Sequence, residues 1–195
     1  MSALAVTPIF TPTRILDLGC GNGRTIDKIG WTVAPGDWVV GVDLNSPALH
    51  EAIHNFPRRH FISARGENLP FRNASFDVVL CNVALPYMDI PRVLAEISRV
   101  LVAGGKLYLK LHPLRFAMSQ LAVALPHPVR SLFRCYVLMN GVIFHISAKT
   151  PLHFGTRMES FQTDRGMKMA LTRAGFSRAR FMHPDGKLIV EALRA

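Results

Sequence analysis

Residues 14–26 read Arg-Ile-Leu-Asp-Leu-Gly-Cys-Gly-Asn-Gly-Arg-Thr-Ile. A short apolar run, Arg14 to Leu18, breaks into three alternating glycines and then becomes helix-compatible. That is the signature of a buried strand turning sharply into a helix. A second apolar run follows at Trp38 to Val42 and a third at His60 to Ala64. Ser75 to Asn82 is a fourth strand, Pro91 to Val102 a helix, and Lys106 to Leu111 a fifth strand after a Gly104-Gly105 stop. Strands alternating with helices imply a parallel sheet covered on both faces. At the far end, Thr163 caps a helix running to about Ala174, and Gly175 stops it. The runs Phe176 to Met182 and Lys187 to Leu193, joined at Pro184-Asp185-Gly186, close the chain as a hairpin. The expected fold is a doubly wound, Rossmann-like α/β domain. Its seven-stranded sheet is mostly parallel, with an antiparallel C-terminal hairpin strand.

The glycine turn is also where chemistry begins. Glycines let the backbone approach a ligand closely, and the helix that follows offers free N–H groups to a carboxylate or phosphate. A nicotinamide or flavin fingerprint needs glycine at the sixth position of GxGxxG, where Arg24 stands. The pattern present is DxGxGxG, from Asp17 through Gly19 and Gly21 to Gly23. Asp43 ends the second strand, where a carboxylate can accept both hydroxyls of a ribose at the open edge of the sheet.

With these two landmarks in order, the sequence resembles the class I S-adenosylmethionine-dependent methyltransferases, especially the branch of ubiquinone-, menaquinone- and other small-molecule enzymes. The resemblance is clear over roughly residues 14–111 and loose over 159–193. It implies S-adenosyl-L-methionine as cofactor, with Asp17, Gly19, Gly21 and Gly23 around the methionine portion, Asp43 on the ribose and Leu44 against the adenine. Ala64-Arg65-Gly66-Glu67-Asn68-Leu69-Pro70-Phe71 resembles the family's GDAxxLPF loop. Here Arg65 replaces the acid, which leaves the Gly66 amide to meet the adenine and Glu67 to stand in for the lost carboxylate. Ser75 to Asn82 resembles the fourth strand, which places Asn82 beside the sulfonium. Arg99-Val100-Leu101-Val102-Ala103-Gly104-Gly105 resembles the RVLKPGG lead-in to the fifth.

Methyl transfer from a sulfonium is a direct displacement, so alignment and exclusion of water come first and a strong base is optional. Tyr87, in Leu85-Pro86-Tyr87-Met88-Asp89, and His112, just after the fifth strand, are the candidates to orient an acceptor or take its proton.

Acceptor choice falls to residues 113–158, the long connection between the fifth strand and the last helix. Leu114 to Leu125 reads as an apolar helix, Pro126 and Pro128 break it, and Val129 to Ile146 resumes it. Neither half has about 18 uncharged apolar residues, so a membrane span is not expected. Two readings stay open: a lid enclosing a small hydrophobic acceptor (lipid-, quinone- or natural-product-like), or the interface of a homodimer. Residues 97–158 contain no Asp or Glu but eight Lys and Arg, including Arg115, Arg130 and Arg157, so peripheral contact with anionic lipid is a further possibility.

The 195 residues, 49% of them hydrophobic, suffice for one core and one domain. Met1 to Thr13 lacks the pattern of a signal or transit peptide, which points to a cytoplasmic protein. Cys20, Cys81 and Cys135 are scattered and odd in number, so no metal site is expected. The net charge of +10 keeps RNA methylation as an alternative. Against it stands the absence of an appended RNA-binding module and of an NPPY motif, since Asn82 is followed by Val83-Ala84-Leu85-Pro86-Tyr87. A non-catalytic binding protein on the same fold is the other alternative, favoured by Arg65.

Overall fold

Four of the five residues of β1 (Arg14–Leu18) are buried, as a strand needs to be when neighbours flank it on both edges and helices cover it. The computed structural model describes residues 13–28, 32–125, 127–155 and 158–195. The readings of residues 1–12, Pro126 and Arg157 lie outside that set. β1 leads into α1 (Thr25–Lys28), β2 (Trp38–Asp43), α2 (Ser46–Asn55), β3 (His60–Ser63), β4 (Phe76–Asn82) and α3 (Ile90–Val100). There follow β5 (Leu101–Leu111), α4 (Leu114–Ala124), α5 (Pro128–Ser147), α6 (Asp164–Arg173), β6 (Phe176–Met182) and β7 (Leu188–Arg194). The seven strands form one sheet in the order β3-β2-β1-β4-β5-β7-β6. β1 to β5 pair in parallel, and β7 runs antiparallel to both β5 and β6. The mixed Rossmann-like sheet read from the sequence is therefore the one observed.

α3 shows how the core is made. Ile90, Val93, Leu94, Ile97 and Val100 recur at helical spacing and are all fully buried against the sheet. The Asp89 carboxylate accepts from the Arg92 N–H and caps its start. α6 is capped in the same way by Thr163, and Gly175 after it takes φ +82. α3 and α6, with Phe144 of α5, share one core with strands β1, β2, β4, β5 and β7. On the opposite face Ile26 of α1 joins Ile15, Val39, Val78 and Leu80 in a smaller cluster.

One boundary differs from the sequence reading. The helix expected to reach Val102 ends at Val100, and β5 begins at Leu101, which pairs with Phe76. The Gly104-Gly105 pair lies inside the strand, where the register against β4 shifts and Gly104 takes φ +71. The glycines serve a bulge here rather than a helix stop.

α4 and α5 form a helical hairpin after β5. Pro128 sits in the first turn of α5. Buried Asn140 donates to the carbonyl oxygens of Glu159 and Leu152, and the Tyr136 hydroxyl donates to Leu152 and accepts from the Glu159 N–H. Polar groups inside α5 thus fasten Leu152 and Glu159 to it. Near the turn between the two helices apolar side chains are exposed: Val123 is 76% exposed and Val129 73%. Among the described residues no helix is long and apolar enough to cross a membrane.

Candidate functional site

The turn after β1 reaches the carboxyl edge of the sheet, where Gly19, Gly21 and Gly23 all take positive φ, at +72, +52 and +82. Only residues without a Cβ adopt that conformation cheaply. The Gly19 and Cys20 N–H groups both donate to the Val42 carbonyl. Asp43 holds the loop from the next strand: one carboxylate oxygen accepts from the Gly21 N–H at 2.8 Å and the other from the Asn45 N–H at 2.8 Å. Carboxylate oxygens accept more than one bond each, so both keep capacity for a ligand hydroxyl.

Beside this loop lies a cleft of about 300 Å³ whose wall includes Gly19, Asp43, Leu44, Gly66, Glu67 and Tyr87. Six residues singled out from the sequence, drawn from four separate segments, therefore meet in one cavity. Leu44 presents an apolar side chain, 57% exposed, at its edge. Glu67 accepts from the Asp89 N–H at 3.2 Å and faces Arg65 at 3.5 Å, so it braces the start of α3 as well as lining the cleft. Gly21 and Gly23 are not on the wall. Gly21 is tied to it through Asp43, and Gly23 packs behind the loop against Phe56 and Phe61.

Two buried oxygens stand out at the ends of β1 and β4. Oδ1 of Asp17 and Oδ1 of Asn82 have no hydrogen-bond partner among the described residues. Burial pushes the Asp17 carboxyl up to about 7, although the Arg59 charge and the Thr25 hydroxyl pull it down. Buried polar atoms are nearly always satisfied, so a pair of orphans at one sheet edge marks a place where a ligand's donors fit.

The chain after β4 is strained. Val83 takes φ +64, which a β-branched residue adopts only when its surroundings impose it, and its N–H donates to the Lys110 carbonyl of β5. Ala84 lines the cleft of about 300 Å³, whereas Val83 lines a second cavity of about 510 Å³ shared with His112 and Phe116. The Tyr87 and His112 rings meet edge to face across the division, with centroids 5.6 Å apart, and Phe116 of α4 lies against His112 at 4.2 Å. Burial, and secondarily the Arg134 charge, push His112 down to about 4; burial raises Tyr87. At neutral pH both rings are uncharged.

Several positioning residues were not legible beforehand. Arg59 donates to the Gly23 carbonyl at 2.8 Å and stacks on Phe56. Gln162, almost fully buried, accepts from the His112 N–H through its side chain and donates its own N–H to the His112 carbonyl. Ser160 likewise donates its N–H to Pro86, next to Tyr87. Cys20 and Cys81 are buried packing residues whose thiols burial pushes up, Cys81 to about 12. Among the described residues no group of His, Cys, Asp or Glu is arranged to hold a metal ion.

Residues 16–109 match the family described as the methyltransferase domain. The phthiotriol/phenolphthiotriol dimycocerosates methyltransferase of Mycobacterium leprae is 38% identical over 104 residues, covering 51% of this chain and 38% of its own length. The malonyl-[acyl-carrier protein] O-methyltransferase of Erwinia pyrifoliae is 36% identical over 94 residues, covering 48% of this chain and 35% of its own. The chain thus spans well under half the length of these relatives. Across nearly the whole chain, the fold resembles that of a Methanosarcina mazei S-adenosylmethionine-dependent methyltransferase, with TM-score 0.59, 20% identity and coverage of 97% of both chains. A Mesorhizobium loti S-adenosylmethionine-dependent methyltransferase gives TM-score 0.62 at 20% identity, covering 96% and 94%. The glycine loop, the Asp43 carboxylate and strands β1 to β5 fall in or at the end of the matched segment; just under half of the chain is thus similar to the methyltransferase domain, and the whole chain shares the fold of the S-adenosylmethionine-dependent methyltransferases compared.

Proposed function

We propose that the protein transfers a methyl group from S-adenosylmethionine to a small, largely apolar acceptor seated beside Tyr87 and His112. The observation that carries this reading is the edge-to-face Tyr87–His112 pair at the division between two cavities, one lined by the cofactor motif and the other by α4. The residues present fit the cofactor. Asp43 offers its carboxylate to the ribose, exposed Leu44 an apolar surface to the adenine, and the orphaned Asp17 and Asn82 oxygens acceptors for the ammonium group. When bound, the cofactor supplies an electrophilic methyl group on a sulfonium.

The chain's own contribution is alignment. His112, uncharged at neutral pH, accepts a hydrogen bond from the acceptor's hydroxyl and orients it, and Tyr87 keeps its proton and serves as a donor. Residues 113–158 act as the lid: α4 brings Phe116 against His112, and Gln162 fixes the His112 backbone from the far side of the insertion. The relative named for phthiotriol dimycocerosates supports an acceptor with a long apolar portion.

Calorimetry tests the cofactor half. Micromolar binding of S-adenosylhomocysteine, weakened tenfold or more (about 1.4 kcal/mol) by Asp43→Ala, is expected. No binding by the folded protein overturns the reading. Tritiated methyl transfer to a panel of long-chain alcohols, phenols and quinols, read as solvent-extractable label, tests the acceptor half.

A second observation concerns the outer flanks of the lid, where exposed Val123, Leu125, Val129 and Leu132 lie in a segment with basic residues and no carboxylate between residues 97 and 158. Such a surface suits an anionic membrane from which an apolar acceptor is drawn. Co-sedimentation with phosphatidylglycerol vesicles but not phosphatidylcholine vesicles is expected. A stable dimer in solution with no vesicle binding assigns the same flank to a second copy instead.

A further inference from the structure

The cavity of about 510 Å³ behind His112 is more than an apolar chamber. Val83, Leu111 and Phe116 supply its apolar wall, but Lys110 from the end of β5, Arg115 from the first turn of α4 and Lys187 from the β6–β7 turn also line it. Three elements thus bring one cation each to the same cavity. One carboxylate, Asp185, faces them, which leaves an excess of two positive charges. Among the described residues, none of the three cations forms an ion pair, whereas Arg14, Arg59, Arg65, Arg92, Arg99 and Arg134 all do.

The placement of Arg115 is specific. Its Nη1 lies 3.6 Å from the position a Cβ on Gly186 would occupy, so the guanidinium reaches from α4 across the β6–β7 turn and closes that side of the cavity. The turn itself is held in an unusual shape, with Asp185 at φ +50 and Gly186 at φ +69. Burial of an apolar chain against Phe116 and Leu111 and pairing of a negative group with Lys110, Arg115 and Lys187 are compatible in one ligand. Charges lining a partly enclosed cavity focus field and are screened less than exposed ones.

We infer that this cavity is the acceptor's subsite and that it selects an anionic amphiphile: a phosphate or carboxylate held by Lys110, Arg115 and Lys187, with the apolar remainder against Phe116 and the His112 ring. This deepens the proposed methyl transfer and rests on it for the word acceptor; the anion site itself does not depend on that reading.

Calorimetry on the full chain with n-octyl phosphate, n-octanol and inorganic phosphate as probes, at low and moderate salt, tests it. Octyl phosphate is expected to bind at least tenfold more tightly than either octanol or inorganic phosphate, with the advantage shrinking as salt rises. The triple variant Lys110→Gln, Arg115→Gln, Lys187→Gln is expected to reduce octyl phosphate to the level of octanol while leaving S-adenosylhomocysteine affinity unchanged, which also shows that the variant folds. An octyl phosphate affinity no better than octanol's overturns the inference, as does an advantage that survives in the triple variant. Inorganic phosphate binding as tightly as octyl phosphate overturns the amphiphile and leaves a plain anion site. Loss of S-adenosylhomocysteine binding in the wild-type protein, with octyl phosphate still bound, strikes the proposed methyl transfer and not this site.

Discussion

Gly19 is the position at which the backbone leaves least room. A Cβ built there falls far inside van der Waals contact with the Ala84 Cβ, and the residue sits at φ +72. Gly19→Ala therefore incurs two costs: about 1–2 kcal/mol for a left-handed L-residue and about 1–3 kcal/mol for overpacking against a wall that carries the strained Val83. The sum is about 2–5 kcal/mol. Because Gly19 and Ala84 both line the cleft of about 300 Å³ proposed to hold the cofactor, relief of the clash moves that wall, and affinity for S-adenosylhomocysteine is expected to fall tenfold or more. Gly21 supplies the control. It too has positive φ, but nothing lies within 4 Å of its Cβ position, so Gly21→Ala costs only the conformational part. Ala84→Gly supplies the rescue. With that methyl gone, the nearest atom to the new Cβ is the Ala84 Cα at 3.6 Å, an ordinary contact. Urea unfolding of the two single variants and the double variant closes the cycle, with an expected coupling of about 1–3 kcal/mol in favour of the double. A double variant no more stable than Gly19→Ala, or a Gly19→Ala protein within 1 kcal/mol of wild type, refutes the reasoning.

Three further predictions concern charge and protonation. His112, held down at about 4 against an ordinary 6.5, binds fewer protons folded than unfolded between those values; it therefore costs stability as pH falls from 6.5 to 4, and His112→Gln removes about 1–2 kcal/mol of that loss after allowance for its partial exposure. Chemical unfolding of both proteins at pH 7.5 and 4.5 reads it. Arg59→Met deprives the Gly23 carbonyl of its donor and Asp17 of a positive charge that favours its ionised form, for an expected loss of about 1–3 kcal/mol in thermal or urea unfolding and weaker cofactor binding. Asp17, raised to about 7, stabilises the folded chain below its ordinary 3.8 and loses that contribution as pH rises to 7; the ligand's ammonium favours the ionised form, so S-adenosylhomocysteine affinity rises between pH 6 and 8 in the wild type and stays flat in Asp17→Asn.

Most of what decides the fold is local, and local patterns survive in a sequence. The strands β1 and β4 are predominantly apolar because they are buried on both faces, and α6 carries its cap at Thr163 and its stop at Gly175. The glycine pair at 104–105 misled because the same residues serve a helix stop and a strand bulge, and the choice between them rests on the pairing of Leu101 with Phe76 across the sheet. The cleft residues Asp43, Leu44 and Glu67 were legible as motif positions, each close to a strand end. Arg59 and Gln162 were not, since the contacts that define them span 36 and 50 residues and neither belongs to a pattern. The charge on the cavity behind His112 was visible only as a basic stretch; that Lys110, Arg115 and Lys187 converge depends on the β6–β7 turn folding under α4.

The distribution of unfavourable features has a common logic. The two orphaned buried oxygens belong to Asp17 and Asn82, on the adjacent strands β1 and β4, and the strained Val83 follows directly. Nothing in β1 or β4 themselves requires these costs, since their other inward residues are apolar and fully buried. They are held in place by that rigid pairing and by Val83's bond to β5, and of the three residues Val83 lines the larger cavity. A free chain that keeps one unpaired carboxylate oxygen, one unpaired amide oxygen and a left-handed valine at one edge is less stable than its core permits. The deficit is the quantity a bound ligand can return. Preorganisation of this kind explains why the site is built from strand ends: only paired backbone resists the relaxation that would otherwise satisfy these atoms internally.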